Sequence, residues 1–163
     1  MKKIVLAVVL LFSIKLSANN VATQVVTMSV TAINELAITG SAPTLTINTA
    51  VAGSLPTPAT STGITYGYTT NSTGTTGKTI TGSINSNMPA NLTLSANLSV
   101  PGSGGGTSSG SQALSTTAVN LVTAIPVPSH QTGQSLQYTF AQTADVAVTA
   151  SFTKTVTFTL IDS

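Results

Sequence analysis

The residues most suggestive of chemistry lie in the segment NSTGTTGKTITG, residues 71–82, where Gly77 and Lys78 have nearly the setting of a Walker A loop. That loop needs a glycine five residues before the second glycine, and Ser72 stands there instead. It also needs a helix after the lysine, so that helical N–H groups meet the phosphates. The alternating, β-branched residues that follow Lys78 predict a strand. We therefore predict a hairpin turn that joins the strands Ile64–Thr70 and Lys78–Ile84, and no nucleotide site.

Candidates for catalysis are few, because His130 is the only histidine and the acidic residues are Glu35, Asp145 and Asp162. A hydrolytic triad could use His130 and Asp145, but no nucleophile motif selects a serine. A glycosidase needs two carboxylates across a cleft. One histidine without cysteine does not hold zinc, and no acidic cluster joins Asp145 in a calcium loop. We predict no enzyme, with no catalytic, cofactor-binding or metal-binding residues. A pocket that holds His130 and Asp145 beside one serine would revive the enzyme hypothesis.

The N-terminus has the pattern of a secretory signal peptide: Lys2 and Lys3, then the apolar run 4–14, then small residues up to Ala18. The run is shorter than the roughly 20 residues that span a membrane. We predict cleavage after Ala18, which makes residues 1–18 the signal peptide and leaves 19–163 as a single domain. The expected location is secreted, either extracellular or at the cell surface, with the periplasm as the alternative.

Cleavage would reverse the charge of the chain, because three of the five lysines precede residue 19. The mature chain keeps two lysines, Lys78 and Lys154, against three acidic residues, a formal charge of −1. Nucleic-acid binding requires clustered Lys or Arg, and this sequence has no arginine. We therefore expect neither nucleic acid nor, after cleavage, membrane as a partner. No cysteine is available for a disulfide or a lipid anchor.

Apolar residues alternate with Thr, Ser and Asn through most of the mature chain, which is the period of a β-strand with one buried face. Asn91 to Val100 shows this best, with Leu92, Leu94, Ala96 and Leu98 on the apolar side. The other segments with this alternation are Val26–Ala32, Leu36–Ile38, Leu45–Ile47, Ile64–Tyr68, Leu136–Phe140, Val146–Val148 and Val156–Leu160, with weaker candidates at Ile80–Ile84 and Val119–Ile125.

These eight to ten short strands predict an all-β fold. One apolar and one polar face per strand indicate an antiparallel β-sandwich with immunoglobulin-like or Greek-key connections, and a closed barrel stays open as an alternative. Tyr66, Tyr68, Tyr138 and Phe140 alternate with small polar residues, so we place their rings on the core face. A sugar-binding platform is the alternative use of these rings, but the chain has no tryptophan.

The mature chain carries five charged side chains, whereas globular domains have about 25 per cent. Charges commonly protect the edges of sheets, and unprotected edges invite pairing with another chain. Long alternating segments lie at both ends, Val21–Ala32 and Thr153–Ile161. These features favour a non-enzymatic structural protein that associates with itself or with other surface proteins, as a filament, fimbrial or matrix subunit, with strand donation between subunits. The alternative is an extracellular binding module for surface glycans or proteins.

Three stretches carry a resemblance: VTMSVTAINELAITGSAPTLTI, ALSTTAVNLVTAI after the glycine-rich loop, and the closing KTVTFTLIDS. Together they resemble a group of small uncharacterised secreted bacterial proteins, which implies a β-sandwich and brings no known active site. TVTFTL is more distantly similar to the end of WxL cell-wall-binding domains, although their tryptophan motif is missing. Chaperone–usher pilins are a third comparison, without the usual cysteine pair and C-terminal aromatic.

Overall fold

The computed structural model describes residues 21–72, 77–99 and 101–163. The predicted signal peptide, residues 1–18, lies outside the described residues. By internal contacts the chain divides into residues 1–30 and 31–163. Residues 21–30, the described part of the first unit, belong to no strand, and their side chains are exposed.

The second unit contains all the strands found in the described residues, and no helix occurs there. The strands are β1 (Asn34–Thr39), β2 (Ala59–Thr60), β3 (Ile64–Thr70), β4 (Lys78–Ile84), β5 (Leu92–Leu98), β6 (Thr107–Ser108), β7 (Ser111–Ala113), β8 (Val119–Ile125), β9 (Ser129–Gln142) and β10 (Val156–Asp162).

The strands form two packed antiparallel sheets. The first has the order β1-β3-β9-β5-β7, with β2 also paired to β9, and the second has the order β10-β4-β8-β6. Side chains that alternate along β3 are buried at Ile64, Tyr66, Tyr68 and Thr70, as expected for a strand with one face on the core. The prediction of an all-β sandwich is confirmed.

From β3 onward the chain crosses to the other sheet at every connection. The hairpin predicted between β3 and β4 is therefore wrong, although both strands begin and end at the predicted residues. The alternation identified each strand but not its partner: β3 pairs with β1 and β9, and β4 pairs with β10 and β8. Residues 73–76 of this connection lie outside the described part of the chain.

The core lies between the inner faces of the sheets. Its fully enclosed side chains come from the central strands of both sheets, which have neighbours on either side. They include Tyr66, Ile80, Leu98, Leu121, Ile125 and Leu136. The placement of Tyr66, Tyr68 and Tyr138 on the core side is confirmed, and Phe140 is partly buried.

Three of the predicted strands are absent: Val26–Ala32, Leu45–Ile47 and Val146–Val148. Each has the alternation of a strand, but a strand also needs a neighbour whose backbone completes its hydrogen bonds. None of these segments pairs with another described residue in a β-ladder. They are strand-type sequences without a partner strand.

The two ends of the sandwich differ. At one end the glycine-rich loop after β5 packs onto the core: the Tyr68 hydroxyl donates to the Gly105 carbonyl oxygen, and the Ser129 hydroxyl donates to that of Gly104 over 3.1 Å. At the same end Lys78, which begins β4, pairs with Asp162 at the end of β10. The opposite end, where β1 finishes and β3 begins, is open.

Candidate functional site

A large apolar cleft of about 1210 Å³ occupies the open end of the sandwich. Strands of both sheets supply its floor, through the C-terminal parts of β1 and β9 and the N-terminal parts of β3, β5 and β10. The floor includes Ile38, Ile64, Leu94, Tyr138, Phe140 and Phe158. These residues belong to the inner faces of strands, so the cleft is a continuation of the core that no strand of the described residues covers.

Leu94 marks the boundary between the core and the cleft. Leu94 and Leu98 lie on the same face of β5, as the alternation of the sequence predicts. Leu98 has no exposed surface, whereas Leu94 is only partly buried and lines the cleft. The prediction that Leu94 faces the apolar side is confirmed, but the core is not closed over it.

Two irregular segments wall the cleft, residues 41–48 (the first wall) and residues 146–153 (the second wall). They include two of the three predicted strands that found no partner. In the first wall, Leu45 and Ile47 are partly buried while Thr44, Thr46 and Asn48 are exposed. This is the alternation of an extended chain against an apolar surface.

Backbone hydrogen bonds flank the walls, but none to another described residue occurs within them. The Thr57 N–H donates to the Thr49 carbonyl oxygen over 2.8 Å, just past the first wall. Around the second wall, the Thr143 N–H donates to Asn91 O over 2.9 Å, and the Asn85 N–H donates to Thr155 O over 3.1 Å. Between these points, no backbone group of 41–48 or 146–153 makes a hydrogen bond to another described residue. Such groups are open to pairing with an added strand.

Aromatic rings and one lysine shape the rim of the second wall. The rings of Phe140 and Phe152 meet edge to face with centroids 6.1 Å apart. The Lys154 ammonium lies 5.8 Å from the centroid of the Phe152 ring and donates to Ser86 Oγ (2.8 Å) and Asn87 O (2.7 Å). Of the described residues that line the cleft, Lys154 is the only charged one, and its hydrogen bonds hold the rim in place.

Burial governs the protonation of the tyrosines beside the cleft and in the core. Removal from water raises the pKa of Tyr138, on the cleft floor, from 10.0 to about 12. Deeper in the core, the pKa of Tyr66 is raised mainly by burial and to a smaller extent by the neighbouring Tyr68. Burial also raises the pKa of Tyr68, while a hydrogen bond with Ser129 acts in the opposite direction. These phenols stay neutral at physiological pH and behave as core residues.

The candidate catalytic residues do not meet. His130 lies near the start of β9, and Asp145 follows its end, so roughly 40 Å of strand separates them. Both are exposed. Glu35 pairs with Thr69, which pairs with His130, so Glu35 and His130 share one face of the first sheet two strand spacings apart, about 10 Å. No ion pair joins these two side chains among the described residues.

The lysine of the Walker-like segment has a structural contact. The Lys78 side chain is 5% exposed and donates to the Asp162 carboxylate, which is 74% exposed. Lys78 begins a strand rather than a helix, so the phosphate-binding geometry of a Walker A loop is missing. Among the described residues, no group of three or more His, Asp or Glu is placed to hold a metal ion.

Sequence reasoning missed the cleft, because the cleft results from the absence of a neighbouring strand. The available signal was the alternation at Leu45–Ile47 and Val146–Val148, which the sequence alone predicts to be paired strands.

In the part of the chain that the structure describes, we find no helix long and apolar enough to cross a membrane. Comparisons with protein-family models, with curated proteins and with solved structures gave no significant match.

Proposed function

We propose that this protein is a non-enzymatic structural subunit, secreted or held at the cell surface, whose copies associate by adding a β-strand at the open end of the sandwich. One observation carries the proposal: the apolar cleft has two walls of strand-type sequence whose backbone groups are unpaired within the described residues. An added strand would cover the apolar floor and complete those hydrogen bonds together.

The apolar floor supports association with a polypeptide. Contiguous apolar surface at a protein's exterior commonly marks an interaction site. Here Leu94, Phe140 and Phe158 of the floor are partly buried, and Ile38 at its edge is 41% exposed. Covering these side chains would extend the core that already lies beneath them.

The composition of the mature chain supports association between copies. Glu35 and Asp162 are the only charged residues on the edge strands β1 and β10, and Asp162 is paired with Lys78. With so few charges, long-range repulsion between copies is weak. Proposed secretion rests on the signal-peptide pattern of residues 1–18.

An extracellular binding module for surface glycans or proteins is the alternative, and it would use the same cleft. Sugar sites in sandwiches present the flat face of an aromatic ring to solvent. In this cleft the rings of Phe152 and Phe140 meet edge to face, and the Lys154 ammonium lies over the Phe152 ring. Unpaired backbone in both walls is a better match for a strand than for a sugar ring.

Sedimentation velocity of residues 19–163 across a concentration series tests the proposal. We expect the average mass to grow with concentration in the absence of any ligand. Leu94→Asp should reduce this growth, because it places a carboxylate on the cleft floor. Ser95→Asp is the matched control, with the same charge on the opposite face of β5. A chain that stays monomeric at all concentrations and changes only when a glycan is added would contradict the proposal.

A further inference from the structure

We infer that the strand that fills the cleft is supplied by a second copy of this chain, from residues 21–32 (the N-terminal arm), so that copies join head to tail. This inference rests on the proposed function and deepens it, because it names the occupant of the cleft and the direction of assembly.

The arm has the sequence that the cleft requires. Residues 21–32, VATQVVTMSVTA, contain no charged residue, and Val26, Met28 and Val30 alternate with Thr27, Ser29 and Thr31. An extended chain with this pattern presents one apolar and one polar face. Its apolar side chains could enter the cleft while its backbone pairs with the walls.

The arm belongs to no strand in the described structure. Its central apolar side chains are exposed: 65% for Val26, 85% for Met28 and 85% for Val30. This is the third predicted strand that found no partner. The other two lie in the walls of the cleft. The chain therefore contains wall segments whose backbone groups are unpaired within the described residues, and a strand-type segment that could pair with them.

Hydrogen bonds to Asn71 fix where the arm leaves the sandwich. The Ile33 N–H donates to Asn71 Oδ1 over 2.5 Å, the Asn71 N–H donates to Ile33 O over 3.1 Å, and the Asn71 side-chain amide donates to Thr31 O over 3.1 Å. Asn34, the next residue, pairs with Thr70 at the end of β3. The arm is therefore tethered at the closed end of the sandwich.

The cleft lies at the other end of the same strand. β1 runs from Asn34 at the tether to Thr39 at the cleft, and its six residues span about 20 Å. An arm attached at the closed end of one copy could fill the cleft at the open end of a following copy. Such a contact joins two different surfaces, which gives an open chain of subunits rather than a closed dimer.

The length of the arm fits the walls. Twelve extended residues reach about 40 Å, and the eight residues of the first wall span about 26 Å. Residues 21–28 could thus line one wall fully and leave residues 29 and 30 to connect to Thr31.

Introduced cysteines test the inference, because the native chain has none. Two full mature chains are made, one with Met28→Cys and one with Ile47→Cys, and are mixed under mild oxidation. We expect a disulfide between the two different chains, detected by mass spectrometry. Gln137→Cys replaces Ile47→Cys as the control, since Gln137 is exposed on the other face of β9, and its yield should be several-fold lower.

Charge substitutions in the arm give an independent readout. Met28→Asp should raise the concentration needed for association by at least about tenfold, because an unpaired carboxylate would enter an apolar cleft. Ser29→Asp adds the same charge to the polar face and should change that concentration by less than about threefold.

The outcomes separate this inference from the proposed function. If native chains associate but the Met28→Cys and Ile47→Cys chains do not cross-link and Met28→Asp has no effect, the arm is not the occupant while the structural role stands. If native chains stay monomeric, both fail. If a chain with both cysteines forms its disulfide only internally, its own arm fills the cleft and head-to-tail assembly is refuted.

Discussion

Replacing Leu98 and Leu94 by alanine, one at a time, measures how open the cleft is in solution. Each change removes three carbon groups, with a transfer free energy of about 2.4 kcal/mol when the side chain is fully buried. Leu98 has no exposed surface, so its removal also leaves an enclosed cavity, and we expect a total loss of about 3–5 kcal/mol. Leu94 is partly buried and faces the cleft. No enclosed cavity would form there, and we expect a loss of about 1–2 kcal/mol.

The assay is urea unfolding followed by tyrosine fluorescence and circular dichroism, at protein concentrations below association. With a slope of about 2 kcal/mol/M, Leu98→Ala should lower the midpoint by about 1.5–2.5 M and Leu94→Ala by less than about 1 M. Equal losses would refute the reasoning, because they would mean that Leu94 is as enclosed as Leu98. A filled or collapsed cleft would then replace the open one.

Three further predictions concern the core and the closed end. Stability should fall as pH rises from about 10 to about 12, because the unfolded chain loses the Tyr138 proton near pH 10.0 and the folded chain keeps it to about pH 12. The urea midpoint of Tyr138→Phe should fall less over this range. A fall equal to that of the native chain would contradict the burial of Tyr138. Asp162→Asn should lower the unfolding midpoint more than Lys78→Met, because only the first leaves a buried ammonium unpaired; the reverse order in urea melts would be evidence against a buried pair. Gly106→Ala should cost about 1–3 kcal/mol in thermal unfolding, because φ is +96° and a Cβ would lie 2.7 Å from a backbone carbonyl oxygen. Gly104→Ala should cost less, because φ is positive there but a Cβ would make no such contact. Equal losses would mean that backbone strain alone, and not the close contact, destabilises Gly106→Ala.

The sequence predicted the strands of the core well. β3, β4 and β8 begin and end at the predicted residues. The alternation is clearest in β3, where every second side chain is buried, whereas nearly every residue of β4 is buried. The two- and three-residue strands β2, β6 and β7 were missed. A segment that short holds too few residues for a period of two to be recognised.

Partners in the sheets could not be predicted from alternation. β3 and β4 are adjacent in the chain yet belong to different sheets, since pairing depends on contacts between residues far apart in sequence. The cleft was hidden for the same reason. Leu45–Ile47 and Val146–Val148 have the composition of strands, and only the fold reveals that no described segment pairs with them.

The chemistry of single residues was partly accessible. The β-branched residues that follow Lys78 predict a strand rather than a helix, and the structure has β4 there. The contact between Lys78 and Asp162 joins residues 84 positions apart, and sequence spacing gives no sign of it. Lys154 and Phe152 at the rim were not singled out, because their meaning depends on the cleft.

Negative-stain electron microscopy of residues 19–163, prepared at a high and a low protein concentration, tests the central claim most directly. Assembly through the open end predicts unbranched chains of sandwich-sized subunits that lengthen at the higher concentration. Isolated particles of one subunit at both concentrations would contradict it.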